Sequence, residues 1–143
     1  MSDGCGVLEK RAYEVMSTPV VTVPGDISLS MAAREMYQAN VGSVVVVDEE
    51  GRIQGILTRR DAIYSLAAGE ARRDPPVRLV MSESVITGRP EEKLSEILEK
   101  MRSAGVKHVP IVDGENRPIG IVSMWDILMA LAGDCLGREK APR

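Results

Sequence analysis

The sequence predicts an α/β (α+β) fold built from two tandem βαββα repeats with pseudo-twofold symmetry. Aligning the chain with itself at a shift of 65 residues gives 19 identities in the 52 positions from Val15 to Leu66, without a gap. Each copy also alternates short β-branched runs with apolar residues at helical spacing. The composition is 44% hydrophobic and 27% charged with no Phe, which is typical of a globular core of aliphatic residues. Two repeats that each expose an apolar face are expected to bury those faces together.

The first repeat, residues 12–68, is predicted to begin with a short strand and a helix. Val20–Val23 is a β-branched run that ends at the Pro24-Gly25 turn. Asp26 is predicted to cap the following helix, because apolar residues recur at helical spacing from Leu29 to Met36. This half of the repeat therefore supplies one strand and one amphipathic helix.

The other half of the first repeat is predicted to be a hairpin followed by a helix. Val44–Val47 is continuously apolar, as a fully buried strand would be, and the polar turn 48–51 leads into a second strand at 53–57. A helix is expected at about 59–68.

The second repeat, residues 77–131, follows the same plan, with strands at 109–112 and 119–122 and a last helix at 124–132. The polar stretch 69–76 ends in Asp-Pro-Pro and is predicted to be a linker, and 132–143 a flexible tail.

Charge, signals and ligand counts narrow the class of function. The net charge of −3 and the pI near 5.3 count against nucleic acid as a partner. No secretory signal and no apolar run long enough to span a bilayer are present, so we expect a cytoplasmic protein without membrane contact. One histidine and two cysteines, Cys5 and Cys135, do not form a zinc motif. The thiols suggest a reducing compartment, although a bridge between them stays open.

The chain also lacks the sequence motifs of common enzymes. Neither a nucleotide-binding glycine loop nor a nucleophile–base arrangement is present, so we expect no enzyme activity and no catalytic cofactor. A regulatory or interaction module is the remaining interpretation.

The repeated segments resemble the CBS domain, named for cystathionine β-synthase. The segments are VMSTPVVTVP, VGSVVVVDEEGRIQGILTRRDAI and VKHVPIVDGENRPIGIVSMWDIL, and the resemblance covers residues 12–131. It implies a tandem pair, or Bateman module, that senses AMP, ADP or ATP in clefts between the paired repeats. It also implies a homodimer that signals to an effector protein by changing its shape. Two alternatives stay open, which are S-adenosylmethionine as the ligand and an interaction module with no nucleotide.

The segment from Gly55 to Asp61 and its copy from Gly120 to Asp126 resemble the ribose-phosphate motif of that family, Gly-x-x-Ser/Thr-x-x-Asp. A carboxylate can accept hydrogen bonds from both ribose hydroxyls, while a hydroxyl residue and a helix N-terminus offer donors to phosphate. The same spacing is also a capping box that starts a helix, and the two roles are compatible.

The two motifs differ in charge, which predicts two unequal sites. Related modules combine the motif of one repeat with the first two strands of the other. The stronger predicted site then contains Thr58, Arg59, Arg60, Asp61, Ile56, Val85, Ile86, Thr87, Val106, Lys107 and His108. The weaker predicted site contains Ser123, Asp126, Trp125, Ile121, Val20, Val21, Thr22, Val41, Gly42 and Ser43. Each basic residue also fits a solvated or structural role, and Trp125 fits a packing anchor.

Overall fold

The computed structural model describes residues 6–136, except for the side chains of residues 135 and 136. Its helices and strands follow the predicted order except for an additional short helix at the start and the missing first strand of the second repeat. They are α1 (Ala12–Val15), β1 (Thr22–Pro24), α2 (Leu29–Ala39), β2 (Ser43–Val47), β3 (Ile53–Thr58), α3 (Arg59–Ala67), α4 (Leu94–Ala104), β4 (His108–Val112), β5 (Pro118–Ser123) and α5 (Met124–Leu136). Single 3₁₀ turns lie at Val7–Glu9, Glu70–Arg73 and Val77–Leu79.

The chain divides into two compact units. The N-repeat unit consists of Val20–Val85 with Glu115–Pro118, and the C-repeat unit contains the described residues of 6–19, 86–114 and 119–136. The units therefore differ from the sequence repeats, because the segment before each repeat's first strand belongs to the unit of the other repeat.

The N-repeat unit has a three-stranded sheet in the order β1-β2-β3, with β1 parallel and β3 antiparallel to β2. Val44, Val45 and Val46 of β2 are buried, as the continuous apolar run predicts, whereas Val47 is half-buried. β1 starts at Thr22, two residues later than predicted, although the Val21 carbonyl still accepts a hydrogen bond from Val45 N–H at 3.0 Å. The core consists of Val23, Leu29, Ala32, Met36, Val44, Val46, Leu57 and Val77.

The C-repeat unit has a two-stranded sheet of β4 and β5. Where the duplication predicts a first strand, only a single parallel bridge joins Gly88 to Ile111. Gly88 matches Val23 at the 65-residue shift, and Ile97 matches Ala32. A Cβ on Gly88 would lie 2.6 Å from Ile97 Cδ1, so the larger isoleucine fills the space of the missing valine. The core consists of Val7, Ala12, Val15, Leu94, Ile97, Met101, Val109, Ile111, Val122 and Ile127.

The start of α2 corrects the predicted cap. Ser28 is the N-cap, and its Oγ accepts a hydrogen bond from Met31 N–H at 3.2 Å, whereas the predicted cap Asp26 lies two residues earlier and is exposed. Asp74 of the linker accepts hydrogen bonds from Ser30 N–H at 2.8 Å and from Ser30 Oγ at 2.6 Å. The linker thus satisfies a first-turn donor of α2.

Backbone hydrogen bonds attach an entry segment, residues 77–85 in the N-repeat unit and 6–19 in the C-repeat unit, to the turn before the first long helix of each unit. Val77 N–H donates to Ile27 O at 2.7 Å, and Ala12 N–H donates to Glu92 O at 2.7 Å. Both partners of the second bond match those of the first at the 65-residue shift. The duplication therefore extends to the way in which each entry segment is anchored.

The C-terminal helix is longer than predicted. Residues 132–136, predicted to begin the flexible tail, belong to α5, and Asp134 forms an ion pair with Lys10 at 2.6 Å. Residues 137–143 and Cys5 lie outside the described residues, as does the side chain of Cys135, so the cysteine predictions are not tested.

Candidate nucleotide site

Each Gly-x-x-Ser/Thr-x-x-Asp motif forms a corner where a strand leads into a helix. Thr58 ends β3 and is the N-cap of α3, and Ser123 ends β5 directly before α5. Asp61 and Asp126 occupy the first turn of these helices. Each corner therefore has a hydroxyl residue and a carboxylate at the start of a helix, and their contact with a ligand stays a prediction.

At the first corner, Asp61 and Thr58 form a capping box. Asp61 Oδ2 accepts hydrogen bonds from Thr58 N–H at 2.9 Å and from Thr58 Oγ1 at 3.1 Å. Asp61 N–H donates back to Thr58 Oγ1 at 3.3 Å. A third donor, the Ser82 hydroxyl, lies 3.2 Å from Asp61 Oδ1. Asp61 is half-buried as a residue.

The second corner has the same hydrogen bonds, but its residues are less exposed to solvent. Asp126 Oδ2 accepts from Ser123 N–H at 2.8 Å and from Ser123 Oγ at 3.0 Å, while Oδ1 accepts from Ser17 Oγ at 2.9 Å. Asp126 has 0% of its surface exposed, and Ser123 has 5%. The two corners thus share their hydrogen-bond pattern but differ in access.

The glycine of each motif makes room for a methionine. A Cβ on Gly55 would clash with the Met81 side chain, and a Cβ on Gly120 would clash with Met16. Met16-Ser17 and Met81-Ser82 are matching pairs in the duplication, so each pair brings one thioether against the glycine and one hydroxyl onto the aspartate.

The arginines that distinguish the two motifs are solvent-accessible. Arg59 and Arg60 are exposed in the first turn of α3, and Arg59 N–H donates to Gly42 O at 3.2 Å. Their counterparts in α5 are Met124, which is half-buried, and Trp125, which is 45% exposed. The helix that starts at the Asp61 corner therefore has two positively charged side chains in its first turn, whereas the helix at the Asp126 corner has two apolar side chains there.

The two predicted residue sets are each divided between the units. Of the stronger set, the N-repeat unit holds Ile56, Thr58, Arg59, Arg60, Asp61 and Val85, and the C-repeat unit holds Ile86, Thr87, Val106, Lys107 and His108. Of the weaker set, the C-repeat unit holds Ile121, Ser123, Trp125 and Asp126, and the N-repeat unit holds Val20, Val21, Thr22, Val41, Gly42 and Ser43. The predicted juxtaposition of residues from different units stays a prediction.

Sequence analysis missed Ser17 and Ser82 as partners of the two aspartates. Both belong to the Val-Met-Ser triplet that recurs at the 65-residue shift, and this identity was the available signal. The pairing itself is invisible in sequence because Ser17 and Asp126 are 109 residues apart.

Membrane spans and metal clusters are absent from the part of the chain that the structure describes. Within residues 6–136 no helix combines the length and the apolarity needed to cross a membrane. Among the described side chains no group of three or more histidines, cysteines, aspartates or glutamates is placed to hold a metal ion.

Comparison with protein families decides the family. The model of the CBS domain matches residues 12–68 and again residues 77–133. The chain belongs to the CBS domain family. The predicted resemblance and the prediction of tandem CBS repeats are therefore confirmed.

Relatives of this CBS pair include both short and long proteins. The CBS domain-containing protein YhcV of Bacillus subtilis is 35% identical over 114 residues, which cover 80% of each protein. The chain spans only 23% and 26% of the length of two other curated relatives that it matches.

Two similar solved structures hold adenosine-containing ligands. The CBS domain pair of protein MJ0100, in complex with 5′-methylthioadenosine and S-adenosyl-L-methionine, is 29% identical with a TM-score of 0.80. That match covers 87% of this chain and 97% of the other. The CBS domain protein PAE2072 from Pyrobaculum aerophilum, complexed with AMP, is 25% identical with a TM-score of 0.75 and coverages of 86% and 98%.

Proposed function

We propose that this CBS pair is a regulatory module that binds an adenine nucleotide, AMP, ADP or ATP, with its primary contact at the Asp61 corner. The observation that carries the proposal is a half-buried carboxylate beside a hydroxyl residue at the N-terminus of α3. The adenosyl ligands of the MJ0100 and PAE2072 structures support the ligand class.

The chemistry of the Asp61 corner suits the ribose and the phosphate of a nucleotide. The Asp61 carboxylate offers acceptors to a ribose diol. The Thr58 hydroxyl, the N-terminus of α3 and the Arg59 and Arg60 guanidinium groups supply donors and positive charge for phosphate. Lys107 and His108 belong to the other unit, and their contribution to this ligand is a proposal from sequence alone.

The second corner is proposed to be the weaker site. Asp126 is 0% exposed, so a ligand would have to displace its surroundings before it reached the carboxylate. Met124 and Trp125 stand where the first corner has two arginines, which favours a less charged adenosyl ligand such as S-adenosylmethionine, or none.

Calorimetry with AMP, ADP, ATP and S-adenosylmethionine tests the ligand class. A nucleotide at 100 times its dissociation constant should raise the unfolding free energy by about 2.7 kcal/mol, which a thermal-shift measurement detects. Absence of heat and of a shift with all four ligands would contradict the proposal and favour an interaction module.

Paired substitutions test the order of the sites. Asp61→Asn removes the negative charge at nearly constant size and should weaken nucleotide binding by roughly tenfold or more, because hydrogen bonds to charged groups are among the stronger ones. Asp126→Asn is the matched variant at the other corner and should affect the tighter site much less. The reverse ranking would refute the proposed order.

The proposed output is a change in contact with a second copy or an effector protein, and exposed apolar side chains favour this role. On α3, Ile63, Tyr64 and Leu66 are 63–69% exposed, and on α5, Trp125 and Leu128 are 45% and 49% exposed. Exposed apolar side chains that form a contiguous patch commonly mark protein-protein contacts. Sedimentation analysis should show a homodimer that Leu66→Glu weakens. If the Leu66→Glu variant has the same mass in solution as the unmodified chain, dimerisation through α3 is contradicted.

A further inference from the structure

We propose that Ser82 is a positioning residue for the Asp61 carboxylate, which it holds through Oδ1 while a ribose diol binds. The inference rests on the proposed function and adds a specificity residue to it. Ser82 lies outside the Gly-x-x-Ser/Thr-x-x-Asp motif, and it belongs to the start of the second repeat, which the structure places in the N-repeat unit.

The Asp61 carboxylate has limited room for further hydrogen bonds. Among the described residues, three donors reach this carboxylate, which are Thr58 N–H and Thr58 Oγ1 on Oδ2 and Ser82 Oγ on Oδ1. An ionised carboxylate has about four lone-pair positions. A vicinal diol needs two of them, so one of the three protein donors must leave when the diol binds.

The Thr58 hydroxyl is the donor that can leave without loss. Thr58 N–H is fixed by the backbone, and it donates to Asp61 Oδ2 at 2.9 Å. The Thr58 hydroxyl can rotate its hydrogen towards a phosphate oxygen while Oγ1 still accepts from Asp61 N–H. One lone-pair position on each oxygen of Asp61 is then available to the diol. Binding of the diol and binding of the phosphate are coupled, because both depend on the same rotation of the Thr58 hydroxyl.

Ser82 is held where it can keep its bond. Its backbone pairs with β3 in both directions, since Ile56 N–H donates to Ser82 O at 3.0 Å and Ser82 N–H donates to Ile56 O at 2.9 Å. The backbone of Ser82 is therefore fixed beside β3, with its hydroxyl 3.2 Å from Asp61 Oδ1.

The duplication shows that this contact is a built feature. Ser17 reaches Asp126 Oδ1 at 2.9 Å, and its backbone pairs with Ile121 in both directions, at 2.8 and 3.1 Å. The two corners differ in burial and in the residues that follow the hydroxyl, yet the serine contact recurs in both. The serine contact is therefore part of the duplicated corner itself.

Binding of AMP and 2′-deoxy-AMP to the full chain tests the proposal. Ser82→Ala should weaken AMP at the tighter site roughly five- to tenfold, because Asp61 Oδ1 loses the hydrogen bond that positions it for the ribose diol, and should weaken 2′-deoxy-AMP much less. Ser84→Ala, an exposed serine two residues away, is the matched control and should leave both affinities unchanged.

Each other outcome overturns the proposal in a recognisable way. Tighter AMP binding by Ser82→Ala would show that the hydroxyl competes with ribose, and equal losses for both ligands would show a purely structural role. Unchanged AMP binding would remove the positioning role while the proposed function stands. If the unmodified chain binds neither ligand, the proposed function fails and this inference fails with it.

Discussion

Replacing Gly120 by alanine should destabilise the protein because Met16 occupies the position of the new methyl group. A Cβ at Gly120 would lie 2.7 Å from Met16 Cγ and 3.1 Å from Met16 Cβ. Carbon atoms in contact prefer separations of about 3.5–4.0 Å. Met16 Cβ cannot retreat easily, because the next residue, Ser17, is paired with Ile121 by two backbone hydrogen bonds.

The expected cost follows from this overlap. Extra methylene groups in a packed core cost about 1–3 kcal/mol, and the fixed Met16 Cβ places Gly120→Ala in the upper half of that range. Gly55→Ala should cost less, since the atoms that it meets are Sδ, Cγ and Cε of Met81, which can rotate away together. For a chain of 143 residues, roughly 2–3 kcal/mol corresponds to a fall in Tm of roughly 5–10 °C.

Urea and thermal unfolding followed by circular dichroism measure both costs. Gly114→Ala is the control, because a Cβ there would have no neighbour within 4 Å, and it should be neutral. Met16→Ala combined with Gly120→Ala should be less destabilised than the sum of the two single variants, because the substituted side chains contact each other. A Gly120→Ala variant as stable as Gly114→Ala, or strict additivity with Met16→Ala, would refute the steric explanation.

Two further predictions concern buried and linker carboxylates. Asp126→Ala should lower the unfolding free energy by roughly 2–4 kcal/mol in urea titrations, because it removes a cap and leaves buried donors unpaired, while Asp61→Ala at its half-buried corner should cost less. Hydrogen bonds from the Ser30 hydroxyl, and then from Ser30 N–H, lower the pKa of Asp74. Its stabilising contribution is therefore complete above the unfolded pKa of about 3.9 and is lost as the pH falls through the lower folded pKa. Asp74→Asn should flatten the acid limb of the stability profile, and an unchanged limb would contradict this linkage.

The sequence predicted those helices and strands whose formation depends on residues that are close together in sequence. The buried strand β2 and its hairpin were predicted because a continuous apolar run and a polar turn carry their own signal. The helix start was wrong because Asp26 and Ser28 are both good cap residues by type. The choice between them depends on the linker, where Asp74 binds Ser30 from 44 residues away.

Compensating changes between the copies were equally hidden. The duplication predicts a first strand in both repeats, but the change of Val23 to Gly88 shortens it to one bridge in the second. Only the structure shows that Ile97, in place of Ala32, restores the lost volume. Similarly, the motif located both aspartates, whereas their serine partners depend on which unit each entry segment joins.

The placement of the entry segments itself can be tested with one pair of substitutions. Val77 belongs by sequence to the second repeat, yet it is 0% exposed in the core of the N-repeat unit, while Leu79 in the same 3₁₀ turn is 68% exposed. Val77→Ala removes two buried methyl groups and should cost roughly 2 kcal/mol of unfolding free energy. Leu79→Ala removes more apolar atoms but should change stability by only about 0.5 kcal/mol, as surface substitutions do. If amide hydrogen exchange in the Val77→Ala variant accelerates first in β2 and β3, Val77 is a core residue of the N-repeat unit. Equal losses of unfolding free energy in the Val77→Ala and Leu79→Ala variants would mean that the segment around Val77 only tethers the repeats.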